Sequence, residues 1–372
     1  MFCIAVFEMT TRLLGSNIPL DQSAPDNSGR IHRFAVLDGL RGVAALLVVL
    51  LHTYDNSAIP NGQLAVDLFF ILSGFVIAHS YADRILVPKG RRQFLISRFI
   101  RLYPMLLIGA AGGVGLALLH NSINAADPYD LKVVAITAAL SFVVLPYLGA
   151  DAVNVFSFSL NPPMWSLFFE IFANVLYLAI AKFLTVRTLC LLTLAGLIGV
   201  VIMGPLGGGL RTNFLAGFPR VVAGFFAGVL LRELWKTGRL PKFQANIFVL
   251  SASLLALAMI PFEIGGWLYA PTLAALLLIV ICGVNCRPAS YHKWFAFLGL
   301  VSYPVYLLHW FTIYVMQFIA KHSDFLSHHY FEPAFLHLIA IVFVGYAIGA
   351  YYETPVMNAL KGILRKRRLR TR

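Results

Sequence analysis

His52 and Asp67 have the chemical types needed for acid–base chemistry, and both interrupt apolar stretches of the chain. His52 ends the run LDGLRGVAALLVVLLHTY, and Asp67 is near the start of the next run, QLAVDLFFILSGFVIAHSY. If both runs cross a membrane, the end of the first and the start of the second lie at the same face. An imidazole beside a carboxylate forms an oriented general base. A core histidine bonded to a neighbour, and a helix cap formed by Asp67, are the competing interpretations.

Arginines in the segment RRQFLISRFIRLYP could bind phosphate. Arg98 and Arg101 are three residues apart and therefore share one helical face. Two guanidinium groups fixed together suit a phosphate, although arginines that only flank a span are the alternative. Arg41 precedes His52 by eleven residues, so the two side chains share a face about 16 Å apart along the helix. With the arginines at one end of the helices and His52 at the other, the pattern favours binding of a phosphate of the donor substrate at the first end and the chemical step at the second.

Two later segments carry polar residues inside apolar windows. In NPPMWSLFFEIFANVLY, Trp165 lies at the helix start and Glu170 lies more than one turn further in, where a buried carboxylate needs a partner. We expect both in the outer half of the bundle. The segment FLGLVSYPVYLLHWF contains Ser302, Tyr303 and His309 around a proline whose ring kinks a helix. Kinked helices with buried histidines are typical of cavity walls, so we count these residues among the candidates.

The composition indicates an all-α polytopic membrane helix bundle. The 372 residues are 59% hydrophobic and only 12% charged, which is too apolar for an ordinary soluble domain. The four cysteines mostly lie within apolar runs, so we expect neither a disulfide framework nor a metal site. The net charge of +13 reflects membrane topology and not nucleic-acid binding, because the basic residues fall between the apolar runs.

Ten apolar windows are long enough to cross a membrane. They are 36–54, 64–83, 102–119, 163–181, 186–204, 214–231, 245–262, 267–285, 296–319 and 334–353. With ten spans, most of the 29 Lys and Arg residues fall on one side, which the positive-inside rule makes cytoplasmic. An eleventh crossing at 131–148 would turn most later basic clusters outward. We therefore predict both termini in the cytoplasm and a re-entrant or surface-lying outer helix over 131–148, ended by Pro146.

The predicted domains are a cytoplasmic N-terminal extension over 1–33, a transmembrane domain over 34–360 and a basic cytoplasmic tail over 361–372. Residues 1–33 contain one short apolar patch and a polar stretch rich in Ser, Asn, Asp and Pro, which predicts a disordered segment and not a cleaved signal peptide.

Six sequence motifs occur along the chain, and their combination in this order is specific. They are LDGLRG with a following histidine, VDLFFILSGFVI, SRFIRLYP, MWSLFFEIFANVLY, GLVSYPVYLLH and YYETP. Together they resemble the membrane acyltransferase family 3 of bacterial O-antigen and exopolysaccharide O-acetylases. The resemblance covers about residues 34–360. It implies a multi-pass enzyme of the bacterial inner membrane that moves an acyl group, expected to be acetyl, from cytoplasmic acyl-CoA to a hydroxyl of an extracytoplasmic carbohydrate.

Roles for individual residues follow from this resemblance. It makes His52 the essential histidine and Glu170 a second essential polar group. We expect Asp67 or Glu170 to orient His52, which either deprotonates the acceptor hydroxyl or carries the acyl group transiently. The CoA phosphates are assigned to Arg41, Arg98 and Arg101. Substrate contacts are assigned to Trp165, Ser302, Tyr303 and His309.

The chain also departs from the family pattern. Ser97 stands where family members often have a further arginine, which predicts a weaker phosphate clamp or one completed by Arg92. Ala65 stands where glycine is common. A transporter or flippase for a polar lipid or glycan is the main alternative function, because buried charges also line transport paths. A purely structural partner of an export complex is a third, and the sequence indicates neither the acceptor nor the oligomeric state.

Overall fold

The computed structural model describes residues 34–53, 59–123, 127–204, 206–286, 292–321 and 331–370. The predicted N-terminal extension over 1–33 lies outside the described residues. The helices that we number in chain order are α1 (Ala35–Thr53), α2 (Leu64–Tyr81), α3 (Pro88–Ile123), α4 (Leu131–Phe142), α5 (Met164–Ile180), α6 (Val186–Met203), α7 (Gly217–Lys236), α8 (Ile247–Ala258), α9 (Tyr269–Asn285), α10 (His292–Lys321), α11 (Phe331–Ile348) and α12 (Thr354–Arg370).

Nine helices in the described part of the chain are long and apolar enough to cross a membrane. The all-α polytopic fold predicted from the sequence is therefore confirmed. We call the end of the bundle where α1 finishes and α2 begins the histidine end, and the end where α2 finishes and α3 begins the arginine end. Helices α1 and α2 run in opposite directions between these ends.

The window over 245–262 is helical over a shorter range than predicted. Helix α8 has 12 residues, about 18 Å, which is less than the roughly 30 Å of a hydrocarbon core. The chain on both sides of α8 is nevertheless anchored at opposite ends of the bundle. At the arginine end, Asn285 donates to the carbonyl of Pro241. At the histidine end, Asn61 donates to the carbonyls of Ile260 and Phe262.

The segment 131–148 contains the second short apolar helix. Helix α4 also has 12 residues and begins after Asp130, whose side chain accepts a hydrogen bond from the backbone of Lys132. The prediction of a non-crossing helix here agrees with this length. The helix ends earlier than predicted. It stops at Phe142 and is followed by a turn with a positive φ at Val144, before Pro146 is reached.

Helices α2 and α7 pack backbone against backbone. A Cβ at Gly74 would lie 2.0 Å from the carbonyl oxygen of Phe225, and one at Gly228 would lie 2.1 Å from that of Ile71. Only glycine permits this approach, which is a common way for membrane helices to associate. The contact fixes the two helices, and with them Asp67 and Arg220, relative to each other.

Helix α3 is longer than the predicted span over 102–119, because its 36 residues also include the basic segment that precedes the span. Arg98 and Arg101 therefore lie on the same continuous helix as the membrane crossing. At the other end of the chain, a π-helical turn, Gly349–Glu353, separates α11 from α12. Helix α12 extends as far as Arg370 and so includes most of the predicted tail over 361–372.

Candidate active site

His52 and His309 meet at the histidine end of the bundle. His52 lies in the last turn of α1, and its ring centroid is 5.1 Å from that of His309 on α10. The Nε2 atom of His309 is 3.3 Å from Nδ1 of His52. His309 is fully buried, whereas His52 is partly exposed. Trp310 packs edge-on against His52, with 5.4 Å between the ring centroids.

The hydrogen-bond partners of the two rings determine which ring nitrogen of each carries a hydrogen. Nδ1 of His52 is 2.9 Å from the carbonyl oxygen of Val48, and Nδ1 of His309 is 2.6 Å from that of Tyr306. A carbonyl oxygen only accepts, so both Nδ1 atoms carry hydrogen in the neutral rings. The Nε2 atom of His309 carries no hydrogen and therefore accepts a hydrogen bond from Nδ1–H of His52. Nε2 of His52 keeps its lone pair and has no hydrogen-bond partner among the described residues, so it can act as a base or a nucleophile.

A third histidine, His337 on α11, lies within hydrogen-bond distance of two threonines that are near this pair in the chain. Its Nδ1 is 3.0 Å from the hydroxyl of Thr53, and its Nε2 is 2.7 Å from the hydroxyl of Thr312. The Thr312 hydroxyl also donates to the carbonyl of His309. Sequence reasoning assigned no role to His337, because no motif surrounds it. The sequence contains one indication of its importance, because His337 is an ionisable side chain inside the apolar window 334–353.

The structure gives Asp67 different partners from the predicted His52. Arg220 binds both carboxylate oxygens of Asp67, from Nε at 2.8 Å and from Nη2 at 2.7 Å. The hydroxyl of Tyr269 donates to Oδ1 of Asp67 at 2.8 Å. All three side chains are buried. A buried carboxylate favours a bidentate guanidinium, because the pair neutralises both charges and satisfies both oxygens. Asp67 therefore holds α2, α7 and α9 together and does not orient His52.

Trp165 packs over this buried ion pair. The guanidinium carbon of Arg220 lies 5.3 Å from the centroid of the Trp165 ring, in cation–π geometry. On another side the ring contacts Gly208, where a Cβ would approach it to 2.6 Å. Gly208 also has a positive φ of 118°, so the loop that covers Trp165 requires glycine there. These contacts position Trp165 within the protein, and its contact with substrate stays a prediction.

Ser302 and Tyr303 are buried at the start of the α10 segment that leads to His309. The hydroxyl of Ser302 donates to the carbonyl of Gly299 in its own helix. The hydroxyl of Tyr303 donates to the carbonyl of Leu102, and its ring lies 5.4 Å from the guanidinium carbon of Arg101. These contacts lie within the protein, and the predicted contacts of both residues with substrate stay predictions.

The three arginines assigned to phosphate form one cluster. Arg41, Arg98 and Arg101 are close enough to interact electrostatically with one another. Arg101 is paired with the buried Glu353 at 2.7 Å, and Arg41 lies 3.9 Å from Asp38. Arg98 has no carboxylate within salt-bridge distance in the described part of the chain, and its buried Nε has no hydrogen-bond partner there. Arg98 also has a side-chain hydrogen bond with Tyr81, and its unpartnered Nε leaves it able to bind a further anion.

Glu170 belongs to this arginine cluster. Ser73 donates to Oε1 of Glu170 at 2.9 Å, and the carboxylate interacts electrostatically with Arg41 and Arg98. The expectation that Glu170 lies in the outer half and orients His52 is therefore corrected. The rise of α5 explains the difference, because Glu170 is about 7.5 Å further along the helix than Trp165. This distance carries the carboxylate to the level of Ser73, halfway along α2.

A row of polar side chains leads from Glu170 towards the histidines. Ser166, one turn before Glu170 on α5, lies 2.6 Å from the hydroxyl of Tyr306 on α10. The carbonyl of Tyr306 in turn accepts from His309. Polar side chains therefore occur at successive levels of the bundle between the arginine cluster and the His52–His309 pair.

A groove lies beside Trp310 at the histidine end. Its walls include His120, Tyr129, Asn154 and Tyr314, together with Trp310 itself. His120 and Tyr129 stack with 4.0 Å between ring centroids, and Tyr314 is 39% exposed. Aromatic rings with polar edges offer both apolar faces and hydrogen bonds to a ligand. Trp310 lines the groove and also contacts His52, so the groove lies one side chain away from the candidate base.

The described residues form a bundle of helices long and apolar enough to cross a membrane, with a buried histidine pair at one end and clustered arginines at the other. The family model described as an acyltransferase domain, acyltransferase 3, matches residues 34–353. The chain belongs to this family and is a multi-pass membrane acyltransferase.

Three curated relatives show how far the similarity extends. Protein 2 in the picA locus of Rhizobium radiobacter is 36% identical over 42% of this chain and 84% of its own length. The acyltransferase MdmB of Streptomyces mycarofaciens is 28% identical over 69% of this chain and 65% of its own length. A Staphylococcus aureus strain COL protein with a provisional O-acetyltransferase name is 27% identical over 74% of this chain, which spans half of that relative. No solved structure matches the chain.

Proposed function

We propose that this acyltransferase moves an acetyl group from cytoplasmic acyl-CoA to a hydroxyl of an extracytoplasmic carbohydrate. The observation that carries the proposal is the free Nε2 of His52, whose ring is held by His309, at the opposite end of the bundle from the arginine cluster. The provisional O-acetyltransferase name of the Staphylococcus aureus relative supports the choice of a hydroxyl acceptor.

The proposed reaction uses His52 as a proton carrier. The acceptor hydroxyl gives its proton to Nε2 of His52 while its oxygen attacks the thioester carbon, so that a C–O bond forms and the C–S bond breaks. The CoA thiolate then takes the proton from the imidazolium. An acyl-imidazole on the same nitrogen is the alternative route, and both routes need the lone pair of Nε2. Because His309 accepts a hydrogen bond from Nδ1–H, it stabilises the ring as the ring becomes protonated.

The arginine cluster is the proposed site of the donor phosphates. The buried Nε of Arg98 has no hydrogen-bond partner among the described residues, while Arg101 is already paired with Glu353. The arginine end would face the cytoplasm of a bacterial cell, with both termini on that side, because the basic flanks Arg84 and Lys236 lie at this end. The groove beside Trp310 would then face outward and receive the carbohydrate.

Radiolabelled acetyl-CoA tests the function in proteoliposomes that contain the purified protein and an acceptor polysaccharide. Label that becomes covalently attached to the glycan supports acyl transfer. Label that stays on CoA while the glycan crosses the membrane would support transport and contradict the proposal.

A further inference from the structure

Asn174 is a buried amide without a partner. Its side chain is 3% exposed, and neither Oδ1 nor Nδ2 has a hydrogen-bond partner among the residues that the structure describes. An unsatisfied donor and an unsatisfied acceptor on one buried side chain lower the stability of the protein. Leucine has a similar size and would fill the same apolar position without this cost, so the amide requires an explanation.

Asn174 lies on the same face of α5 as the residues that border the donor site. Glu170, Asn174 and Tyr177 follow at the spacing of one helical face. The ring of Tyr177 packs against that of Phe94 on α3, with 6.4 Å between centroids. Phe94 is one turn before Arg98, and α3 and α5 run in opposite directions. Asn174 and Arg98 are therefore at nearly the same depth in the bundle.

The two orphaned atoms of Asn174 indicate the chemistry of the missing partner. A phosphate offers only acceptors, so it would leave Oδ1 of Asn174 unsatisfied. A secondary amide offers one donor and one acceptor and complements both atoms. In acyl-CoA, amides of this kind lie in the pantetheine arm, between the diphosphate that the arginines would bind and the thioester that His52 would meet.

We propose that Asn174 binds an amide of the pantetheine arm of the donor. The proposal rests on the proposed function, because it requires acyl-CoA in the arginine cluster. Asn174 would thus recognise the donor as a pantetheine thioester, whereas the arginines recognise only its phosphates.

Binding measurements on the purified full-length protein in nanodiscs test this role with two ligands. CoA contains the pantetheine arm, and adenosine 3′,5′-bisphosphate lacks it. For Asn174→Leu we expect the affinity for CoA to fall about tenfold, with the affinity for the bisphosphate unchanged. We also expect the ligand-free variant to be at least as heat-stable as the wild type, because the orphaned amide is gone.

Thr137→Val is the matched control. Thr137 on α4 is 1% exposed, and its hydroxyl likewise has no partner within the described residues. This substitution also removes an orphaned polar group and should leave both affinities unchanged. An unchanged CoA affinity in Asn174→Leu, or an equal loss for both ligands, would overturn the inference while the proposed function stands. A wild-type protein that binds neither ligand would overturn the donor assignment and this inference with it.

Discussion

Nδ1 of His52 lies between two acceptors, the carbonyl of Val48 at 2.9 Å and Nε2 of His309 at 3.3 Å. A neutral imidazole thus takes the position that a carboxylate has in many catalytic triads. In the apolar interior of a membrane protein, this arrangement fixes the tautomer of His52 without the cost of burying an additional charge.

Replacing His309 tests this relationship. In His309→Ala the ring of His52 loses one of its two acceptors and the aromatic contact that holds it, so we expect the turnover rate to fall about 100-fold with an unchanged affinity for CoA. Glutamine can accept the same hydrogen bond through its side-chain oxygen, so His309→Gln should recover part of the rate. Steady-state kinetics with CoA binding on the same samples provide the measurement. Equal losses in both variants would show that His309 has a different role.

The buried pair of Asp67 and Arg220 should stabilise the fold and not contribute to proton transfer. Asp67→Asn leaves the Arg220 guanidinium without its counter-charge and should lower the free energy of unfolding by about 3–5 kcal/mol. Thermal unfolding in detergent measures this loss, and the turnover of the folded fraction should stay close to that of the wild type. Full stability combined with lost turnover would instead favour the catalytic role that the sequence predicted.

Arg98 should make the largest contribution to donor binding in its cluster. In Arg98→Gln we expect the affinity for CoA to fall about 10- to 100-fold, since a charge-assisted hydrogen bond to phosphate is lost. Arg92, which the sequence offered as a residue that could complete the clamp, provides the control, because the structure leaves it exposed on the same helix and outside the contacts of the cluster. Isothermal titration with CoA should show no change for Arg92→Gln. Equal affinities in the two variants would mean that Arg98 only flanks the membrane.

The groove beside Trp310 should determine the affinity for the acceptor. Tyr314→Ala removes an aromatic wall and should raise the KM for the carbohydrate about tenfold, with little change in the KM for acetyl-CoA. Trp267→Ala removes an aromatic ring that is 71% exposed outside the groove, and it should leave both constants unchanged. A higher KM for acetyl-CoA in Tyr314→Ala would place the groove on the donor path.

The sequence predicted the elements better than the contacts between them. Apolar windows of about 20 residues identify membrane helices, because the thickness of the bilayer sets their length. The window over 245–262 satisfies the same criterion, yet only 12 residues of it are helical. Asn61 and Asn285 bind the carbonyls on either side of this helix, and neither contact is visible in a hydropathy pattern.

In the candidate site too, the sequence identified the residues better than it identified their partners. Interrupted apolar runs identified His52, Arg98 and His309, because ionisable groups inside a membrane need a reason to be there. The pairing of Asp67 depends on Arg220, 153 residues later, which the glycine contacts between α2 and α7 bring next to it. Proximity of helix ends alone therefore led to the wrong partner.

The most direct test of the account is acetyl transfer by His52→Ala in proteoliposomes, measured together with CoA binding. We expect label transfer from acetyl-CoA to the polysaccharide to fall to background, while the Kd for CoA stays within about twofold of the wild-type value. Transfer at an appreciable fraction of the wild-type rate, in a variant with normal CoA binding, would contradict the assignment of His52 as the group that carries the chemistry.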